Sequence, residues 1–146
     1  MLLKILILFH VIGACVWVGG HLVLLLSILP KALREKDPEV IRNFEERYEQ
    51  IGIPSLFVQV ITGLWMASEY FPINEWFSFS DRWHTHIGVK LIFLSITLIL
   101  AIHARFFIIP KLTEKNLLLL GFHIILMTML AIALLFTGVN FRLGII

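Results

Sequence analysis

Charge is scarce in this chain, and the scarcity decides its solvent. Asp, Glu, Lys and Arg make up 15% of the 146 residues while apolar residues reach 59%, and the mean hydropathy is +0.92. Too few polar side chains remain to coat a water-soluble globule of this size, so most of the surface has to face lipid. Cysteine is nearly missing: Cys15 stands alone inside an apolar run, which excludes an intrachain disulfide framework. The apolar runs are continuous and do not alternate with period two, which excludes a transmembrane β-barrel. The chain also lacks a basic patch. Its net charge of +2 comes from residues set in short segments between apolar runs, a topology signal that argues against a nucleic-acid partner.

What is there is hydrophobic length. Ile5 to Leu29 and Leu117 to Phe141 each run 25 residues without a charge, and Ile51 to Ser68 runs 18, where spanning the hydrocarbon takes roughly 20. His86 to Pro110 carries Lys90 and Arg105 near its ends, where long basic side chains can snorkel. The reading is an all-α membrane protein: a four-transmembrane-helix bundle, up-down-up-down, forming a single integral-membrane domain over residues 1–146. Its helices are expected at about 3–30, 51–71, 84–110 and 116–141. Pro54 is placed near the start of the second helix, where a missing amide is tolerated. Lys4 with the apolar stretch after it imitates a signal peptide, and Ile12-Gly13-Ala14-Cys15 imitates a lipoprotein cleavage box. No polar sequence follows either before Leu29, so the first helix is read as uncleaved.

Basic residues set the orientation. Lys31, Arg34, Lys36, Arg42, Arg47, Arg105, Lys111 and Lys115 fall on one side, against Lys4, Arg82, Lys90 and Arg142 on the other. The positive-inside rule then places both connecting loops in the cytoplasm and both termini outside, in a multi-pass protein of the cell inner (plasma) membrane. Segment 30–50 reads as a solvated connector in which Glu45 and Glu49 sit near Arg42 and Arg47. The loop with Trp76, Phe77, Phe79 and Trp83 suits the headgroup region.

The chemistry concentrates in histidine. Six occur, and His10, His21, His103 and His123 fall inside the spans. A ring nitrogen left unpaired in lipid is costly, so an intramembrane histidine implies a function and a partner. His10 and His21 are eleven residues apart, which at about 100° per residue returns them to one face, with Trp17 between them. Gly13, Gly19 and Gly20 beside that face mean either close helix packing or room for a large flat ligand. His21 lies about 12 Å from the inner end of its helix and His123 about 9 Å from the same end of another, so the two share a level. His86 opens the third helix at the outer level of His10, with His84 as its competitor. Helix geometry allows two stacked bis-imidazole sites, His10 with His86 and His21 with His123, as bundles hold b-type haem. His103 is rotated about 100° off the His86 face, onto the stripe of Ile92, Ile96 and Ile99, and both a ligand role and a structural one stay open for it. In the second helix, Gln59, Thr62, Gly63, Met66 and Tyr70 form one stripe expected to face the bundle and hydrogen-bond across it.

Phe9-His10-Val11-Ile12-Gly13-Ala14-Cys15-Val16-Trp17-Val18-Gly19-Gly20, Thr62-Gly63-Leu64, and Trp83 followed by Gly88-Val89-Lys90-Leu91 leading to His103 resemble the copper-resistance D (CopD) membrane-domain family. They are also similar to the related HemJ-type protoporphyrinogen oxidases. The resemblance runs along nearly the whole chain and implies a four-helix core. For HemJ-like members it implies haem b and a role for His10 and Lys90; for CopD members it implies copper uptake. The fourth helix departs from the HemJ pattern, ending Phe136-Thr137-Gly138-Val139-Asn140 and carrying His123.

Three functions are expected from these residues, in this order. The first is a b-type haem protein, with one or two haems, moving electrons across or within the membrane and exchanging them with quinone, an oxidoreductase role without an assigned catalytic residue. Lys90, Arg82 or Arg142 would pair outer propionates and Arg105 or Lys111 inner ones. The second is a copper path. Cuprous ion favours sulfur ligands, and here there is one cysteine and no Met-x-x-x-Met pair on a histidine-bearing helix. The third is a non-catalytic membrane subunit, HemJ-like oxidation standing beside it. Partners are the bilayer, quinone, and either a second copy or a redox protein.

Overall fold

A computed structural model describes residues 1–144. Four helices long and apolar enough to cross a membrane carry the fold: α1 (Leu2–Glu35), α2 (Glu39–Tyr70), α3 (Arg82–Lys111) and α4 (Glu114–Leu143). No strand occurs among the described residues. The fold class is therefore an all-α, four-helix membrane bundle. α1 packs along α2 on one side and α4 on the other, and α4 packs on α3, whereas α2 and α3 scarcely touch. That missing contact opens the bundle between α2 and α3.

Large apolar side chains point outward, as a lipid solvent allows: Leu26, Phe122 and Ile99 are 71%, 69% and 65% exposed. Lipid tails are as apolar as leucine, so close packing and internal hydrogen bonds hold such helices together. Thr97 of α3 and Thr128 of α4 are fully buried, and each hydroxyl donates to the carbonyl four residues earlier, at 2.8 and 2.7 Å. An apolar plug of Leu24, Ala32, Ile41, Ile108, Leu117 and Ile124 ties all four helices together at the end where the 36–38 and 112–113 connections lie. The same end is stapled by Lys36 to Glu114 at 3.4 Å and by Arg42 donating to the Leu112 carbonyl.

Two boundaries differ from the sequence expectation, the end of α1 and the start of α2. α1 does not stop at Pro30, whereas α3 ends beside Pro110 as expected; each passes a π turn just before its proline, Leu24–Ile28 and Ala104–Ile108. A proline ring pushes aside the carbonyl four residues back, here Leu26 and Phe106, and a wider i→i+5 turn absorbs the displacement without ending the helix. Segment 39–50, expected as a solvated connector, is the first third of α2. Residues 41, 45, 48, 52, 55, 59 and 62 make one continuous inward stripe through it, and Pro54 lies mid-helix. The expected ion pairs of Glu45 and Glu49 with Arg42 and Arg47 do not form: Arg42 pairs with Glu39, and Glu49 reaches Arg105 on α3 at 2.8 Å.

The 71–81 connection folds back on α3. Trp76 Nε1 donates to the Phe71 carbonyl at 3.0 Å, and the Phe79 ring lies where a Cβ on Gly88 would stand. Asp81 caps α3, its carboxylate accepting from the amides of Trp83 and His84 at 2.7 and 3.0 Å.

Candidate functional site

Histidines on regular helix interiors have a ready acceptor in the carbonyl four residues earlier, and in this fold that bond fixes their tautomers. His21 Nδ1–H donates to the Trp17 carbonyl at 2.9 Å, His123 Nδ1–H to Leu119 at 3.1 Å and His86 Nδ1–H to Arg82 at 2.7 Å. In a neutral ring the other nitrogen, Nε2, is then an acceptor. His10 reaches the same state differently. Thr62 spends its one proton on the Val58 carbonyl, so His10 Nδ1–H donates to Thr62 Oγ1 at 2.9 Å.

What each Nε2 meets separates the histidines. His86 Nε2 accepts from Asn140 Nδ2 at 2.8 Å, and His123 Nε2 accepts from His103 Nδ1–H at 3.1 Å with the two rings stacked 5.2 Å apart. His84 has both ring nitrogens against carboxylates, Asp81 at 2.9 Å and Glu75 at 3.3 Å, and so offers no lone pair. No hydrogen-bond partner stands at Nε2 of His21 among the described residues. The expected pairing of His10 with His86 is thus met by two separate contacts, to Thr62 and to Asn140. His103 is exposed, on the lipid-facing stripe it shares with Ile92, Ile96 and Ile99, and pairs with His123.

His21 and His123 line one cavity of about 470 Å³, set in the gap between α2 and α3 and walled by all four helices. Such a volume suits a drug-sized or cofactor-sized ligand. Trp17 lines it too, tilted against the His21 ring with centroids 4.4 Å apart. The Trp17 indole Nε1 is buried and, among the described residues, has no hydrogen-bond partner. Tyr48 presents its ring edge to His21 at 6.2 Å, and its hydroxyl donates to the Val16 carbonyl at 3.2 Å. That ring fills the hollow over Gly20 and Gly52, where a Cβ on either would overlap it. Gly13 likewise gives way to the Gln59 side chain, whereas Gly19 faces open space. Close packing therefore explains Gly13 and Gly20, and leaves Gly19.

The cations lie elsewhere than a snorkelling picture puts them. Arg105 lines the cavity and pairs with Glu49, bridging the α2–α3 gap. Lys90 turns into the bundle, its Nζ 3.3 Å from where a Gly138 Cβ would be and near enough to act electrostatically on the His10 ring. Glu45, Tyr48 and Glu49 were missed as site residues because their segment was read as a solvated connector. The stripe that continues from Ile41 through Tyr48 to Thr62 is the signal that would have found them.

No group of three or more His, Cys, Asp or Glu side chains converges among the described residues. Compared with known protein families, curated proteins and solved structures, the chain finds no match.

Proposed function

We propose that this protein is an integral-membrane b-type haem protein that carries electrons within or across the bilayer, its macrocycle held in the cavity between α2 and α3. One observation carries the reading: His21 lines the cavity, its ring oriented by Nδ1–H donation to Trp17 and its Nε2 without a hydrogen-bond partner among the described residues, beside a buried indole N–H that lacks an acceptor. A ring fixed by its second nitrogen is how proteins orient a metal-ligating imidazole. When bound, a b haem supplies one-electron chemistry at its iron.

The chain's own residues then do four things. His21 would hold the haem iron through its Nε2. His123, on α4, is the second imidazole at that cavity, available once His103 Nδ1–H lets go of its Nε2. Arg105, half-neutralised by Glu49, offers a guanidinium to a propionate. The apolar walls keep water away, which strengthens every charge interaction inside.

Copper, the function that the CopD resemblance implies, is the second reading. What favours it is the approach of two imidazole nitrogens, His103 Nδ1 and His123 Nε2, to 3.1 Å across two helices. A pyridine haemochrome assay with elemental copper analysis on the purified protein decides between them. One haem b per chain with little copper is expected. A colourless preparation with stoichiometric copper would reverse the order, and a colourless one free of metal would leave the scaffold role.

A further inference from the structure

At the end of the bundle that carries the chain termini, a second cavity of about 410 Å³ opens between the end of α2, the start of α3 and the end of α4. Tyr70, Phe71, Trp83, Phe141 and Arg142 line it. Phe141 is its hub: Tyr70 meets that ring at 5.3 Å and 75°, and Trp83 meets it at 4.9 Å and 78°. Ring walls set nearly at right angles let a flat ring stack on one wall while presenting its edge to another. Two of the lining residues carry polar groups without a hydrogen-bond or ion-pair partner among the described residues, the Tyr70 hydroxyl and the Arg142 guanidinium. Both donate. No carboxylate is among the described lining residues and the Arg142 guanidinium repels a cation, so the box favours a ligand with acceptor oxygens.

We propose that this cavity binds the headgroup of a membrane quinone, its ring among the aromatic walls and its carbonyl oxygens accepting from Arg142 and from the Tyr70 hydroxyl. A lipid phosphate carries acceptor oxygens too, but phosphate sites gather several cations or backbone amides. Here one guanidinium lines the box; Arg82 is not among the lining residues, and its guanidinium lies over the Trp83 ring, 5.4 Å from its centroid. A plain acyl chain would leave both donors unpaired. The box lies at the helix ends, and Tyr70 and Trp83, 40% and 44% exposed, leave it open to the outside of the bundle, the access that a headgroup carrying an isoprenoid tail needs. The site is separate from the His21 cavity and stands whether or not a haem occupies that one.

The test uses the full chain in phosphatidylcholine nanodiscs with an azido-substituted benzoquinone carrying a decyl tail, followed by photolysis and peptide mapping. Label is expected at residues 70–71, 83 or 141–142 and is suppressed by excess unlabelled decyl-benzoquinone. Tyr70→Phe, which keeps the ring, weakens competition about fivefold, and Arg142→Ala weakens it more than about tenfold. His21→Ala leaves the labelling unchanged, so failure of the haem reading and failure of this one are told apart. Label spread along the lipid-facing helices, label indifferent to competitor, or displacement by phosphatidylglycerol added to the nanodiscs would overturn the proposal.

Discussion

A buried indole N–H without an acceptor costs on the order of 1–3 kcal/mol, and at Trp17 the folded chain bears that cost on the wall of its cavity. Trp17→Phe removes the orphaned donor while keeping an aromatic ring against His21. The ligand-free protein is expected to be as stable as the parent or more so in detergent denaturation, and the cofactor-loaded protein to release its ligand about tenfold more readily. Asp81 gives a second residue-scale expectation. The backbone N–H of His84 holds its carboxyl below the usual carboxylate range. A lowered folded-state pKa means that the stabilisation is fully present above the unfolded value near about 4 and is lost as pH falls through the folded value. Protection of the Trp83 and His84 amides, measured by hydrogen exchange, should therefore decline as pH drops below that range. Asp81→Asn keeps a capping side chain and should abolish the decline; an unchanged acid dependence in that variant would show that another group controls it. At this scale much of the site was legible. His21, Trp17, His123 and Arg105 were singled out by placing polar residues in apolar runs, and all four line one cavity. The partners of His86 and His123 were not legible, because an asparagine or a second histidine supplied by another helix leaves no mark in local spacing.

At the scale of elements, four long helices followed directly from hydrophobic length, and so did most of their ends; the end of α1 and the start of α2 did not. Pro30 read as a stop, yet the π turn before it carries α1 onward to Glu35. The charges of segment 39–50 hid a stripe that continues the inner face of α2. Counting charge per segment misses such a stripe because its exposed face is solvated while its inner face still packs. Glycine space gives the corresponding expectation. A Cβ at Gly20 would overlap the Tyr48 ring, which is held against Val16, whereas one at Gly19 meets nothing. Gly20→Ala is expected to destabilise by about 1–3 kcal/mol, and Gly19→Ala to be neutral or stabilising by up to about 1 kcal/mol. Thermal unfolding followed by circular dichroism compares the two; equal effects would contradict the packing described for α1 on α2.

For the whole molecule, eight basic residues, Lys31, Arg34, Lys36, Arg42, Arg47, Arg105, Lys111 and Lys115, lie toward the end opposite the chain termini, and positive-inside bias orients such bundles. In a Cys15→Ser background, Ile73→Cys should react with an impermeant maleimide in intact cells stripped of their outer layers, and Asp37→Cys only after permeabilisation. The reverse pattern would invert the sidedness and leave the bundle itself untouched. The proposed function rests on a single physical arrangement, a histidine lining the cavity between two helices that scarcely touch. The measurement that tests it most directly is the reduced-minus-oxidised visible spectrum per chain of the parent, of His21→Ala and of His10→Ala, purified side by side. A haem signal in the parent that persists in His10→Ala and disappears in His21→Ala is the expected result. A full signal in His21→Ala would contradict the account.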